Sequence, residues 1–282
     1  MPRSFTPLRY PGGKSQFYDN VVRILTFNNI QHATYIEAFA GGAGVAIRLL
    51  LEGLVDNIII NDIDPAIYSF WHTVVHNNKW LIGKINDTKI TIEEWNRQKD
   101  IYLNYKQHSV KEVGFATLFL NRCNRSGILS AGPIGGKNQI GNYKIDCRFN
   151  KNNIISIIQR IGFYKNRIKV YKYDATLLIK KMKNVEGAFW FIDPPYYVKG
   201  EELYKNSFSH NDHVRLSKVI KKELVDRQWI LTYDVCDEIY NLYNSYKHAK
   251  ILLSYSVEKK RKEYEFLFFN NLCINNEVLR YE

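Results

Sequence analysis

Thr34-Tyr35-Ile36-Glu37-Ala38-Phe39-Ala40-Gly41-Gly42-Ala43-Gly44 is the stretch that decides the fold of this chain. Its first four residues predict a β-strand, its glycines predict a turn, and residues 45–52 behind it predict an α-helix. Glycines in such a turn let the backbone approach a ligand closely, although the spacing is not Gly-x-Gly-x-x-Gly and no pyrophosphate need be bound. The stretch therefore predicts the start of a Rossmann-like half.

A second strand is predicted by the apolar run 57–60, which ends at Asn61-Asp62. An acidic side chain about 20 residues after a glycine-rich turn is placed to hold the hydroxyl pair of a ribose, so Asp62 is predicted to bind one. The alternative is that Asp62 or Asp64 caps the helix predicted over 66–75, and for Asp64, which precedes Pro65, capping is favoured.

Further apolar runs predict a large, doubly wound and mostly parallel sheet with an antiparallel edge. The predicted strands are 168–173, 188–192, 229–233, 251–257 and 264–269, and helices are predicted over 176–183 and 213–225. Asp62, Asp174 and Asp193 each follow an apolar run. Since carboxyl ends of parallel strands line a ligand crevice, these carboxylates are expected to converge, although any one of them could be ordinary turn chemistry.

Asp193-Pro194-Pro195-Tyr196 follows the run Ala188–Ile192. Two prolines with fixed φ restrict the turn, so the Asp193 carboxylate and the Pro194 carbonyl are expected to project together and to hold one NH2 group. Tyr196 next to them can stack on the ring that carries the amine. The alternative is a plain strand-to-loop turn, in which Asp and Pro are common for conformational reasons.

The positive charge of the chain is concentrated in one segment. The net charge is +12, and residues 97–169 contain 14 Lys or Arg against three acidic residues, so they hold nearly all of the surplus. Fixed positive charge favours a polyanionic partner through counterion release. A solvated basic face that only aids solubility is the alternative.

That segment lies within Trp71–Arg167, which predicts an inserted, mostly helical subdomain between a catalytic body of residues 1–70 and 168–282. Turn residues in Ala131–Gly136 predict an exposed loop or β-hairpin, and a hairpin can enter the major groove of a nucleic acid. Amides and bases there can contact phosphates and base edges, or satisfy the backbone of the loop itself. The predicted contact residues are Asn121, Arg122, Asn124, Arg125, Ser126 and Lys137.

The four cysteines are widely spaced, which predicts reduced thiols rather than a disulfide framework or a zinc site. The first 14 residues have no apolar core of signal-peptide length, and no run approaches the ~20 apolar residues of a membrane span. A soluble, cytoplasmic protein without a membrane partner is expected, and a monomer that tracks along its polyanion is the default.

The order of these motifs resembles the Dam-type, or D12-class, DNA adenine-N6 methyltransferases over nearly the whole chain. The resemblance begins at Tyr10-Pro11-Gly12-Gly13-Lys14 and runs through residues 37–44, Asn61–Asp64, the basic insert and Asp193–Tyr196. It implies an α/β domain that binds S-adenosylmethionine, a helical target-recognition domain with a β-hairpin, no metal, and N6-methyladenine in double-stranded DNA as product. A bacterial or phage-infected cell is the implied setting, with the chain at the nucleoid.

The resemblance also implies roles for individual residues. Tyr10 and Lys14 would contact the cofactor region, Asp62 would bind its ribose and Asp174 would face its adenine. The turn around its methionine end would be formed by Glu37, Phe39, Gly41, Gly42 and Gly44, and Asp193 would also contact the cofactor. Tyr10 stands where many relatives have Trp, and residues 126–136 do not match those associated with GATC reading, so the recognition sequence stays open.

The mechanism expected from these residues takes the adenine out of the duplex, stacks it on Tyr196 and holds its N6 amine at Asp193 and Pro194. An ionised Asp193 would stabilise the positive charge that develops on N6. Two rivals remain: methyl transfer to an RNA base or a protein glutamine, and a DNA-binding module whose catalytic pocket has decayed.

Overall fold

The computed structural model describes residues 5–9, 17–198, 208–256, 260–275 and 278–279. The strands are β1 Thr34–Glu37, β2 Asn57–Asn61, β3 Ile168–Tyr171, β4 Ala188–Ile192, β5 Gln228–Asp234, β6 Lys247–Ser256 and β7 Lys260–Asn270. The helices are α1 Tyr18–Phe27, α2 Gly44–Leu51, α3 Pro65–His76, α4 Asn78–Asp87, α5 Ile92–Leu103, α6 Val110–Cys123, α7 Lys151–Phe163, α8 Ala175–Met182, α9 His210–Glu223 and α10 Asp237–Tyr243.

The seven strands form one sheet in the order β3-β2-β1-β4-β5-β7-β6. The first five strands in that order are parallel, and β7 pairs antiparallel with both β5 and β6. The chain winds outward from β1 to β3 and then returns to β4 on the other side of β1, which makes the gap between β1 and β4 the topological switch point. The predicted doubly wound, mostly parallel sheet with an antiparallel edge is confirmed.

Alternating side chains divide the core between the two faces of the sheet. Tyr35, Phe189 and Phe191 pack on the face covered by α1, α2 and α3, which we call the insert face. Ile36 and Trp190 point the other way, against α8, α9 and α10. These strands are buried on both faces, which is why they are apolar without interruption.

The edge hairpin is longer than the apolar pattern predicted. β6 begins at Lys247 and β7 at Lys260, and the two strands pair as far as Ser256 opposite Lys260. Backbone pairing needs no apolar side chains, so the charged start of β7 carried no signal. α9 also begins earlier than predicted, because Ser209 and Asp212 form a capping box at its first turn.

The insert between β2 and β3 consists of helices, as predicted. Of the two forms predicted for residues 131–136, an exposed loop or a β-hairpin, the structure has the loop. Ser126–Gly136 forms turns with an isolated antiparallel bridge between Asn124 and Pro133, in place of paired strands. Glycine and Pro133 fill this loop, and both residue types weaken a strand ladder. The predicted boundary at residue 71 falls inside α3, and Trp71 belongs to the same hydrophobic core as the insert helices.

None of the helices in the described ranges combines the length and the apolar character needed to cross a bilayer. All four cysteines are free thiols, with Cys123 buried and Cys147 exposed.

Candidate active site

The five parallel strands present their carboxyl ends along one edge of the sheet. Glu37 ends β1, Asp62 follows β2, Asp174 lies three residues after β3, and Asp193 follows β4. The predicted convergence of acidic residues on this edge is therefore present in the structure. The switch point between β1 and β4 places Glu37 and Asp193 at its centre, where open α/β sheets bind ligands.

The glycine-rich turn after β1 is held in place by three hydrogen bonds. The Gly41 N–H donates to Asp62 Oδ2 at 2.9 Å, and Trp71 Nε1 donates to the Gly41 carbonyl at 2.9 Å. The Thr6 hydroxyl donates to the Gly42 carbonyl at 2.6 Å. Gly41 has a φ of 46°, a left-handed conformation that favours glycine. These hydrogen bonds fix the turn next to the switch point. Helix α2 begins directly after the turn, at Gly44.

Asp62 is fixed by the backbone on two sides. Besides Gly41, it accepts a hydrogen bond from the Asp64 N–H at 3.0 Å, and its side chain remains partly exposed at the edge. Burial raises the pKa of Asp62 to about 6, an effect that the two backbone donors oppose. Asp64 caps α3 by accepting from the Ala66 N–H at 2.7 Å, so the capping role predicted for Asp64 is confirmed.

Asn61 is a residue of this edge to which the sequence assigned no role. Its side chain is 1% exposed. Its Nδ2 donates to the carbonyls of Ala38 and Tyr173, both at 3.0 Å, and its Oδ1 accepts from the Tyr173 N–H at 2.8 Å. Asn61 therefore ties together the loops that follow β1 and β3. A buried amide at the end of an apolar strand is the signal that could have identified it.

Glu37 is buried, and its Oε1 accepts a hydrogen bond from the Ala46 N–H at 3.1 Å. Burial raises the pKa of Glu37 to about 8; the Ala46 N–H opposes the shift, and the neighbouring Asp193 carboxylate adds to it. The two acidic groups at the switch point therefore lie close enough to interact electrostatically. Such a pair suits a cationic ligand, which would favour the ionised form of Glu37.

Asp174 is occupied by local structure. It caps α8 by accepting from the backbone N–H of Thr176 at 2.9 Å, and its Oδ2 lies 3.1 Å from Nη2 of Arg215 on α9. Its carboxylate thus links α8 to α9 at the edge of the site. Nothing in these contacts tests the prediction that Asp174 faces the adenine of a cofactor.

Asp193 is anchored by the neighbouring strand. The hydroxyl of Thr232, which is fully buried on β5, donates to Asp193 Oδ1 at 2.6 Å. Asp193 and Pro195 remain partly exposed, whereas Pro194 is buried. The tetrapeptide is therefore not sealed inside the protein, and its carboxylate is held in one orientation at the switch point.

Tyr196 is more buried than a base-stacking residue would be expected to be. Its side chain is 6% exposed, and its hydroxyl donates to Oε1 of Glu265, a buried residue on β7, at 2.7 Å. The Tyr196 ring is covered by surrounding protein atoms in this structure. These atoms must move away from the ring before a base can stack on it. The sequence assigned no role to Glu265 or to Thr232.

The chain beyond Tyr196 is held by Asp234, which ends β5. Its two carboxylate oxygens accept from the N–H groups of Tyr197 and Val198 at 2.9 and 2.8 Å. A carboxylate at a turn commonly accepts hydrogen bonds from two backbone N–H groups in this way. Thr232 and Asp234, from one strand, thus fix both the start and the end of the motif.

An aromatic cluster connects the motif to the glycine-rich turn. Phe39 is partly exposed and contacts Phe208, with 5.7 Å between the ring centroids, and Phe208 contacts His213 at 5.3 Å. His213 also contacts Tyr197 at 5.1 Å and lies 2.6 Å from the hydroxyl of Tyr233 through its Nδ1. Burial lowers the pKa of His213 to about 4, so the cluster is uncharged at neutral pH.

Tyr10 and Lys14, predicted to contact the cofactor region, lie outside the described residues. The residues just before them dock onto the insert. Asn121 Oδ1 accepts from the Arg9 N–H at 2.7 Å, and Asn121 Nδ2 donates to the Arg9 carbonyl at 2.9 Å. Gly127, with a φ of +77°, lies against the Arg9 carbonyl where a Cβ atom would clash at 2.3 Å. The N-terminal segment and the insert therefore meet in a close, specific contact.

That contact corrects the predicted role of three insert residues. Asn121, Arg122 and Asn124 are 2%, 9% and 0% exposed. Arg122 Nε donates to the Pro7 carbonyl at 2.6 Å, and Asn124 Oδ1 accepts from Trp95 Nε1 at 2.7 Å. Burial lowers the pKa of Arg122 to about 10. These side chains satisfy the protein's own polar groups, the alternative that the sequence left open, and present no free face to DNA.

The other predicted contact residues are accessible. Arg125 and Lys137 are exposed, and Ser126 is partly exposed with a φ of 53°. Two further basic side chains of this segment, Lys144 and Arg148, are also exposed. Gln139 braces this loop: its Nε2 donates to two loop carbonyls, and its Oε1 accepts from the Ile145 N–H at 2.8 Å. We call the loop of residues 125–148 the basic loop.

The strand order and the acidic residues at the switch point define a Rossmann-like α/β fold, a class whose members bind ligands at the carboxyl edge of the sheet. Residues 10–275 match the family described as D12 class N6 adenine-specific DNA methyltransferase, and the chain belongs to that family. It is an adenine-specific DNA methyltransferase. The chain is 24% identical over 255 residues to the Type II methyltransferase M.CviBI of Paramecium bursaria Chlorella virus NC1A. This alignment covers 86% of the chain and 88% of M.CviBI.

Two solved structures are loosely similar. A putative RNA methyltransferase from Pyrococcus horikoshii aligns with a TM-score of 0.43 and 10% identity over 93% of this chain and 85% of its own. A protein from Legionella pneumophila aligns with a TM-score of 0.36 and 11% identity over 95% of this chain and 89% of its own.

Proposed function

We propose that this enzyme transfers a methyl group from S-adenosylmethionine to N6 of an adenine that it flips out of double-stranded DNA. The observation that carries the proposal is the Asp193 carboxylate, held at the switch point by Thr232 and still partly exposed. A fixed acceptor next to a ligand crevice is what a poorly nucleophilic amine needs for orientation. Methylation-sensitive sequencing of DNA from cells that express the chain tests this and gives the recognition sequence.

The residues at the carboxyl edge fit S-adenosylmethionine, whose ribose carries two hydroxyls and whose other end carries positive charge. Asp62, partly exposed and fixed by two backbone donors, would accept from the ribose hydroxyls. Glu37 would hold the amino group, and Phe39 with Gly41, Gly42 and Gly44 would line the methionine end. Asp174 would lie towards the adenine. Bound there, the cofactor supplies an electrophilic methyl group on a sulfonium.

At the target base, Asp193 and the Pro194 carbonyl would each accept one N6 hydrogen. The lone pair of N6 is delocalised into the adenine ring, and two acceptors favour a more tetrahedral nitrogen whose lone pair is localised. An ionised Asp193 then stabilises the positive charge that develops on N6 as the methyl group is transferred, and Asp193 or solvent accepts the proton that N6 releases. Pro195 stiffens the turn, and Tyr196 would stack on the flipped base once its covering opens, which offsets part of the cost of unstacking.

The acidity of Glu37 predicts how cofactor binding depends on pH. Its pKa is about 8 in the ligand-free chain, so it is mostly protonated at neutral pH. A bound amino group requires the ionised form, so binding below pH 8 releases a proton. The affinity for S-adenosylhomocysteine should therefore rise from about pH 6 to about pH 8. Above that pH Glu37 is ionised already, so its contribution to the pH dependence should level off. Titration calorimetry in buffers with different ionisation enthalpies measures both the affinity and the proton release.

Glu37→Gln is the matched control, because it keeps the shape and the acceptor oxygen and removes the ionisation. This variant should bind S-adenosylhomocysteine more weakly than the parent chain at pH 8, and its binding should release fewer protons. If Glu37→Gln kept the same pH dependence as the parent chain, another group would be responsible.

The basic loop is the proposed DNA-contact surface. Arg125, Lys137, Lys144 and Arg148 are exposed there without an acidic partner among the ion pairs of the described residues. Exposed cations of this kind contact phosphates and fix a protein on the duplex. Ser126 at the start of the loop can donate to a phosphate oxygen.

We predict that Arg125→Ala and Lys137→Ala each weaken DNA binding and reduce the slope of log affinity against log salt concentration by about 1. Lys218→Ala, which removes an exposed charge on α9, is the matched control and should leave the slope unchanged. Fluorescence anisotropy with a labelled duplex at several salt concentrations measures the slope. A slope unchanged by both loop substitutions would place the DNA surface elsewhere.

A further inference from the structure

We infer that Glu265 is a positioning residue for methyl transfer, which acts by holding the ring of Tyr196 through the hydrogen bond to its hydroxyl. The inference rests on the proposed function and extends it to a residue of the antiparallel edge. Glu265 lies on β7, far along the chain from the motif and outside the parallel part of the sheet.

The position of Glu265 follows from the alternation of β7. Leu267 and Phe269 pack on the insert face, whereas Phe266 and Phe268 pack on the opposite face. Because side chains alternate along a strand, Glu265 points to the insert face. Its register partner on β5 is Asp234, which holds the backbone of the chain after Tyr196.

The same alternation places the other polar groups of the site on that face. Glu37 is two residues beyond Tyr35, Asp193 two beyond Phe191, and Thr232 two beyond Ile230, and all three of these apolar residues pack on the insert face. A row of polar groups therefore runs along the carboxyl edge from β1 to β7. Glu265 is the last group of this row. Its hydrogen bond to the Tyr196 hydroxyl connects the aromatic ring of the motif to the row.

The chemistry of the Tyr196–Glu265 bond suits positioning. The residues are 6% and 2% exposed, and the oxygens lie 2.7 Å apart, as in strong hydrogen bonds of hydroxyls to carboxyl groups. The hydroxyl lies on the long axis of the phenol ring, so a hydrogen bond there fixes where that axis points, and the preference of the O–H for the plane of the ring restrains rotation about the axis. A base that stacks on a fixed ring loses less of its binding energy to ordering that ring.

A double-mutant cycle tests this assignment with three variants that change little volume. Tyr196→Phe removes the donor, Glu265→Leu removes the acceptor, and Glu265→Gln keeps an acceptor oxygen. Tyr196→Phe and Glu265→Leu should each lower kcat by about ten-fold, the rate equivalent of one hydrogen bond. The double variant Tyr196→Phe/Glu265→Leu should be no slower than the slower of the two single variants, because both substitutions remove the same bond.

Three further readouts separate positioning from general support of the fold. Glu265→Gln should recover most of kcat. In all variants the dissociation constants for S-adenosylhomocysteine and for the duplex should stay within about two-fold of the parent. The fluorescence of 2-aminopurine at the target position should report less base flipping in Tyr196→Phe and Glu265→Leu. Thermal unfolding of each variant shows whether it is folded in the assay.

The assignment is overturned if Tyr196→Phe turns over like the parent chain, if the two losses multiply in the double variant, or if Glu265→Gln is as slow as Glu265→Leu. These outcomes require an active parent chain, so they are distinct from failure of the proposed function. A parent chain that does not methylate adenine would overturn the proposed function and this assignment with it.

Discussion

Asp193→Ala should abolish methyl transfer while leaving both ligands bound. The substitution removes the only charged group of the motif, whose Oδ1 accepts from Thr232 at the switch point. Without it, N6 loses one acceptor and the developing positive charge loses its stabilising partner. Removal of one group that stabilises transition-state charge typically costs about 10²–10³ in kcat, and we expect a loss of at least that size. Single-turnover methylation of a duplex with tritiated cofactor measures it.

Asp226→Ala is the matched control, because Asp226 is an exposed carboxylate just before the start of β5, at the opposite edge of the sheet. It should turn over like the parent chain. Calorimetry with S-adenosylhomocysteine and anisotropy with the duplex should show that Asp193→Ala still binds both. Near-normal turnover in Asp193→Ala would refute the catalytic assignment, and loss of cofactor binding would indicate that Asp193 mainly builds the cofactor site.

Asp62→Ala should be the most damaging change for cofactor binding. Asp62 would lose the proposed hydrogen bonds to the ribose hydroxyls, and Gly41 would lose the acceptor that fixes its N–H. A hydrogen bond to a charged group contributes about 1.5–3 kcal/mol, which corresponds to roughly 10- to 100-fold in the dissociation constant. Calorimetry with S-adenosylhomocysteine measures the change.

Asp64→Ala provides a control two residues away. Asp64 caps α3, so its removal should cost about 1 kcal/mol of stability and leave cofactor affinity unchanged. Thermal unfolding and the same calorimetry separate the two effects. Equal losses of affinity in Asp62→Ala and Asp64→Ala would mean that the loop after β2, rather than the Asp62 carboxylate, determines binding.

The parallel sheet could be predicted from the sequence because its strands are buried on both faces and are therefore apolar throughout. Ala188–Ile192 has the predicted bounds. The acidic residues at the strand ends could also be found, since each interrupts or follows such a run. The capping role of Asp64 followed from its place before Pro65, a local rule that needs no tertiary information.

The residues that depend on distant contacts could not be assigned. Asn121 and Arg122 look like DNA-binding residues in a basic segment, but they are buried against the chain near Pro7 and Arg9, more than 100 positions away. Glu265 carries a local signal, an acidic residue within an apolar strand. Its partner Tyr196 is 69 positions away, so only the sheet order brings the two together.

Nucleoside mass spectrometry of duplex DNA incubated with the chain and S-adenosylmethionine tests the central claim most directly. We predict N6-methyladenine in the duplex and none when Asp193→Ala replaces the parent chain. Methylated cytosine in place of N6-methyladenine, or methylation of RNA with the duplex left unmodified, would contradict the account.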